Sequence, residues 1–218
     1  MVTSQFPWEY DPDNKIKSSP NSTSFLARHK TLPDIRGIIT FFQLREAEKE
    51  EFMLRIQHIM GDVIHPNTHP NIAKIQAHGI VEQGVERGNP YVVEEYTEGA
   101  SLCETYSIRN KMPLSVALSL CRQMVSALQY MRARDIYHFG ICSTNIIERK
   151  AESPAREPVF ILTGWKFDQP VEETYLLADN PYLAPEIFEA ATFGKPGERS
   201  DRYALAVVLY KVHTGKFP

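Results

Sequence analysis

The chain is short of several things, and each shortage closes off a class of function. It holds three cysteines, Cys103, Cys121 and Cys142. Their number is odd and their spacing is no metal-ligand pattern, so reduced thiols are expected rather than a disulfide framework or a thiolate metal centre. Long apolar runs are missing. The longest, Ala204–Tyr210, falls far short of the roughly 20 residues that cross a bilayer. Met1–Tyr10 has neither a basic start nor an apolar stretch, so no secretory signal opens the chain. Excess positive charge is missing too. With 24 Lys and Arg against 27 Asp and Glu the net charge is −3, which argues against nucleic acid and against an anionic membrane surface. No repeat of fixed period is visible. These absences lead to the expectation of a cytoplasmic protein with neither a nucleic-acid nor a membrane partner.

What is present is an ordinary globular composition, 43% hydrophobic and 23% charged over 218 residues. That length buries a real core and suits one domain or two small lobes. Residues 1–24 are polar and rich in Pro, Asn and Ser, which reads as a flexible arm or a weak first strand. Phe25–His29 and the β-branched, aromatic Gly37–Phe42 form a hairpin across a loop containing Pro33 and Asp34. Leu44–Met60 has helical spacing at Leu44, Phe52, Ile56 and Ile59, an acidic outer face, and Gly61 as its end. Pro66 and Pro70 mark an extended linker. Ile72–Val81 and Pro90–Tyr96 are further strands.

The texture changes after Gly99 and Ala100. Pro113–Arg134 is a long helix with Pro113 in its first turn; Leu114, Leu118, Cys121, Val125, Leu128 and Met131 are its expected core face. Ile136–Ile147 and Val159–Phe167 are extended. Asp201–Val212 is apolar along its middle, as a buried helix is. The fold class is therefore α+β in two lobes, a β-rich one over residues 25–97 and a helical one over residues 98–218. A cleft between such lobes is a favoured ligand site.

Four stretches then line up in order with one family: His69-Pro70-Asn71-Ile72; Tyr91-Val92-Val93-Glu94-Glu95-Tyr96-Thr97-Glu98-Gly99; Tyr182-Leu183-Ala184-Pro185-Glu186; and Ser200-Asp201 onward through Tyr210 to Thr214-Gly215-Lys216. Together they resemble a protein kinase, closest in character to bacterial Ser/Thr kinases, from about Phe25 to Pro218. The resemblance implies a two-lobed kinase fold. It assigns structural roles to His69, Pro70, His138, Ala184, Pro185, Glu186 and Asp201.

The same resemblance tests the chemistry. Phosphoryl transfer needs cradled phosphates, metal ligands and a carboxylate beside the nucleophile. The three glycine positions of the phosphate loop fall on Lys17, Ser19 and Ser22, where side chains obstruct the backbone approach. The phosphate-holding lysine falls on Thr40 and its helix glutamate on Arg55. Glu50 or Glu51 replaces that glutamate only with a register one turn away. The catalytic loop falls on His138-Phe139-Gly140-Ile141-Cys142-Ser143-Thr144-Asn145, so that Gly140 stands where an aspartate would accept the hydroxyl proton. The metal aspartate falls on Gly164, followed by Trp165 and Lys166. Asp168 lies four residues on. Asn145 alone remains as a weak magnesium ligand. Glu94 occupies the back of the adenine pocket, with Tyr96 in its hinge, and a buried carboxylate there needs a partner, for which Arg55 is the candidate.

The expectation is a pseudokinase, a kinase-like fold serving as a protein-interaction or regulatory module, with no cofactor. The alternative is an active or atypical Ser/Thr kinase that uses ATP and Mg. The family's last helices have no counterpart before Pro218, so the helical lobe is expected to be incomplete and the chain a truncated product.

Overall fold

The computed structural model describes residues 6–63, 69–149, 157–166 and 180–218. The chain divides between Tyr96 and Thr97, with His69–Ile72 belonging to the second unit. Asp168 and Pro66 lie outside the described residues.

The first unit is a five-stranded antiparallel sheet in the order β1-β2-β3-β5-β4, with β1 Trp8–Ser19, β2 Ser22–His29, β3 Arg36–Phe42, β4 Ile75–Ile80 and β5 Pro90–Glu95. Alternation along β3 sends Ile39 and Phe41 to one face, where they pack with Trp8, Phe25, Ala27, Val81 and Val93. Ile38, Thr40 and Phe42 take the other face. There helix α1, Glu46–Val63, meets the sheet through a Phe42–Phe52 ring pair at 4.6 Å. Phe52, Ile56 and Ile59 are the buried residues of this helix.

Of the two readings of the first residues, a flexible arm or a weak first strand, the strand holds: residues 8–19 form one of 12 residues, with Trp8 buried and the Tyr10 ring packed on Phe25 at 5.0 Å, which ties the segment to the core. Helix α1 also runs past Gly61 to Val63, because glycine permits a left-handed helix end without requiring one.

Gly37 is needed where it stands. A Cβ on it would lie 2.5 Å from Val93 Cγ1 and 2.8 Å from the Glu94 carbonyl oxygen. The close pairing of β3 with β5 has no room for a side chain there.

The second unit contains a small sheet of β6 Ala100–Ser101, β7 Ile146–Arg149 and β8 Val159–Leu162. Its helices are α2 Leu102–Thr105, α3 Leu114–Arg132, α4 Pro185–Phe188, α5 Ala190–Phe193 and α6 Glu198–Thr214. Ser101 starts α2 with a reciprocal cap: the Glu104 carboxylate accepts from the Ser101 N–H at 2.7 Å, and the Glu104 N–H donates to Ser101 Oγ at 3.3 Å.

Helix α3 buries only part of the expected face: Leu128 and Met131 are inside with Ala117, Leu120, Met124 and Ala127, whereas Leu114, Leu118 and Val125 are exposed. Both stripes have helical spacing, and the smaller alanines allow closer packing. Pro113 is the N-cap of α3 rather than its first residue. Helix α6 is likewise not buried all round, since Tyr203 and Tyr210 are exposed while Asp201, Ala204, Leu205, Val207, Val208 and Val212 are covered.

Candidate functional site

The chemistry-bearing positions of the second unit lie on the loop between α3 and β7 and on the residues after β8. The loop is anchored from below by α6. Asp201 is 3% exposed. Its carboxylate accepts the backbone N–H of His138 at 2.7 Å and of Phe139 at 2.8 Å. Phe139 has φ +53, left-handed for a residue that carries a Cβ. Such a conformation costs on the order of 1–3 kcal/mol and persists only where its surroundings impose it. The two hydrogen bonds to a charged acceptor are that imposition. Burial raises the Asp201 carboxyl to about 6, against the opposing pull of those two N–H donors.

His138 is fully buried. Its Nδ1 accepts the Gly140 N–H at 3.2 Å, and its ring lies 4.8 Å from that of Trp165. Its place is inside the unit.

Gly140, Asn145 and Gly164 come together. Asn145 Nδ2 donates to the Gly140 carbonyl at 2.7 Å and to the Gly164 carbonyl at 3.3 Å, so both its amide protons are spent on backbone. A Cβ on Gly140 would lie 2.7 Å from the Gly164 carbonyl oxygen. Gly164 has φ +72, and a Cβ on it would lie 2.6 Å from Asn145 Cγ. Each glycine therefore occupies space that the other's loop leaves closed. Cys142, further along the loop, has its Sγ 3.1 Å from Thr144 Oγ1.

The remaining kinase-like positions of this unit are scaffold. His69 Nδ1 accepts the Asn71 N–H at 3.2 Å, which leaves Nε2 to donate to Ser126 Oγ at 2.9 Å. Burial lowers the His69 pKa, in keeping with this neutral form. Pro70 holds the turn between them. Asn71 Nδ2 donates to the Phe160 carbonyl at 2.8 Å, and Ile72 bridges to Leu162 in parallel. Ala184 is the buried N-cap of α4 and Pro185 its first residue, where a missing N–H costs nothing. Glu186 accepts a hydrogen bond from Ser200 Oγ at 2.8 Å. That serine, which the sequence reading did not single out, is itself bound by the Gly197 N–H at 3.1 Å.

In the first unit, Thr40 Oγ1 is 2.9 Å from Ser24 Oγ across the strand pair. Arg55 donates to Glu51 one helical turn away at 3.1 Å. Glu94 is 7% exposed and pairs with Ile38 on β3, so its carboxylate shares the α1 side of the sheet with Thr40. The Tyr96 ring lies beneath the Arg36 guanidinium at 4.7 Å. Lys17, Ser19 and Ser22 sit at the β1–β2 hairpin, where Ser19 Oγ and Ser22 Oγ are 2.8 Å apart. Ser19 and Ser22 face each other directly across the two-residue turn, Pro20-Asn21.

Similar proteins extend these matches beyond single motifs. Over 150 residues the chain is 30% identical to the serine/threonine-protein kinase PrkC of Bacillus subtilis, covering 69% of this chain and 22% of that protein. It is 26% identical over 179 residues to the serine/threonine-protein kinase ULK3 of Homo sapiens, covering 80% of this chain and 34% of that one. The chain thus spans between about a fifth and a third of the length of these relatives. A crystal structure of Rad53 1–466 in complex with AMP-PNP superimposes with a TM-score of 0.69 at 15% identity, over 97% of this chain and 49% of that one. That likeness carries the two-lobed fold. The family model for the protein kinase domain matches residues 41–218, and with the ordered motifs from His69 to Asp201 this establishes that the chain belongs to the protein kinase family.

Proposed function

We propose that this chain is a kinase-like domain that no longer transfers phosphate and works in the cytoplasm as a protein-interaction or regulatory module. One observation carries the reading: Gly140 and Gly164 close on each other through Asn145. At the position of the proton-accepting carboxylate, even a Cβ would meet a backbone oxygen at 2.7 Å. At the position of the metal carboxylate, a Cβ would meet Asn145 at 2.6 Å. The loss is therefore more than two missing carboxylates, because the Gly164 carbonyl oxygen at one position and the Asn145 side chain at the other fill the space a Cβ would use.

Magnesium fits this set poorly. Asn145 would offer its side-chain oxygen as a lone amide ligand, and no group of three His, Cys, Asp or Glu among the described residues is arranged to hold a metal. Thr40 brings no ammonium to the phosphates, and Arg55, which donates to Glu51 at 3.1 Å, is a cation where the resemblance asks for a glutamate.

A second reading, an active Ser/Thr kinase with ATP and Mg, is favoured by the names of the relatives, PrkC and ULK3, both serine/threonine-protein kinases. One experiment separates the two. Thermal unfolding is followed with ATP, with and without magnesium, alongside radiolabel transfer to the chain itself and to a generic acceptor protein. The module reading expects no transfer and no magnesium-dependent shift. Transfer above background overturns it.

A further inference from the structure

A half-buried cation lies away from the glycine pair, on α6. Lys211 Nζ donates to Ser143 Oγ at 3.1 Å and to Tyr182 Oη at 3.0 Å. The two hydroxyls are themselves 2.8 Å apart. The three groups come from separate parts of the unit: the loop after α3, the segment before α4, and the last turn of α6. Among the described residues Lys211 has no carboxylate partner. Its other neighbours are aromatic, the Phe217 ring at 4.5 Å and the Tyr182 ring at 5.6 Å.

The protons of this cluster do not balance. The ammonium carries three and each hydroxyl one, five in all. Inside the cluster three are used, two from Lys211 and one between the hydroxyls. One ammonium proton and one hydroxyl proton remain, and no carboxylate offsets the charge. Ser143 is 1% exposed and is the inner member. If it donates to Tyr182, the Tyr182 proton is left on the open side beside the ammonium. The π face of Phe217 is a weak acceptor for a cation compared with an oxyanion. Phe217 is also exposed, so the ammonium is covered only from one side.

We propose that Lys211, Tyr182 and Ser143 form an oxyanion-binding site that takes a phosphate or carboxylate group. The cation supplies charge, Tyr182 a directed donor, and Ser143 fixes both. The site does not depend on whether the glycine pair abolishes catalysis, since none of its groups belongs to that pair.

The test is an NMR titration of the intact chain with inorganic phosphate and, separately, with sodium acetate at constant ionic strength. Saturable shifts are expected for the Ser143 and Tyr182 amides and the Lys211 side chain. Saturation by phosphate but not acetate assigns a phosphoryl group, and the converse assigns a carboxylate. Lys211→Met is expected to weaken binding at least tenfold and Tyr182→Phe several-fold. Lys211→Arg, which keeps the charge, retains more of the binding than Lys211→Met. If Lys211→Met does not fold, Tyr182→Phe decides, because it keeps the ring and removes only the donor. Unsaturable shifts with both anions, or equal affinity in wild type and Tyr182→Phe, overturn the proposal.

Discussion

Asn145 Nδ2 lies 2.7 Å from the carbonyl oxygen of Gly140, and on its other side it reaches the carbonyl of Gly164. This side-chain amide joins two loops, the one that holds Gly140 and the one that holds Gly164. The consequence is that the two glycines are not independent. Restoring one carboxylate forces against a backbone that the other glycine holds.

Gly140→Asp alone is therefore expected to leave phosphate transfer at background. It should also destabilise the protein by about 1–3 kcal/mol, the usual range for overpacking a closed site. Radiolabel transfer and urea unfolding measure the two parts. Gly164→Ala should cost at least as much, since its left-handed backbone adds roughly 1–2 kcal/mol for any residue with a Cβ. Robust activity from Gly140→Asp would show that the loop opens freely.

Asp201 governs the same loop from below. Its folded pKa of about 6 lies above that of an unfolded aspartate. The folded state therefore takes up a proton first as pH falls. The contribution of this group to stability is fully present below about pH 4 and is lost as pH rises through about 6. Asp201→Asn should flatten the pH dependence of unfolding between those limits. It should also cost about 1–3 kcal/mol, because the amide nitrogen would face a backbone N–H that has lost its acceptor. Chemical denaturation from pH 4 to pH 8 on both proteins checks the sign. A wild type that loses stability relative to Asp201→Asn as the pH falls from 6 to 4 would contradict it.

Trp8→Ala should destabilise the first unit by about 3–5 kcal/mol, the range for deleting a buried aromatic. A flexible arm would tolerate the change with almost no effect on the unfolding midpoint.

Gly37→Ala should cost about 1–3 kcal/mol, as a methyl group is driven into Val93 and the Glu94 carbonyl. Hydrogen exchange at the β3–β5 pairing should rise in the variant. Unchanged protection would mean that the strands separate more easily than their spacing implies.

Much of this was legible in the chain itself. His138 and Asn145 bracket Gly140 at fixed offsets, so the register of this loop against the family motif needs no coordinates. Strand β3 and helix α1 announced themselves through β-branched and helical spacing. Helix α3 was also visible, yet its buried face was not. Leu114, Leu118 and Val125 make as regular a stripe as Leu120, Met124 and Met131, and only the neighbours on one side choose between them. Polar composition likewise left the first strand undecided between strand and arm, and the buried Trp8 at its start decides it.

By itself, then, the sequence determined the family and the two-lobed fold class. These are local properties, carried by side-chain type and by spacing along a few turns. Tertiary structure alone decided that the Gly164 carbonyl closes on Gly140 and the Asn145 side chain on Gly164, and that Lys211 meets Ser143 from 68 positions away. Spacing along a chain says which residues share a face. It does not say how closely two distant backbones approach, and at Gly140 that approach puts a carbonyl oxygen 2.7 Å from where a Cβ would stand.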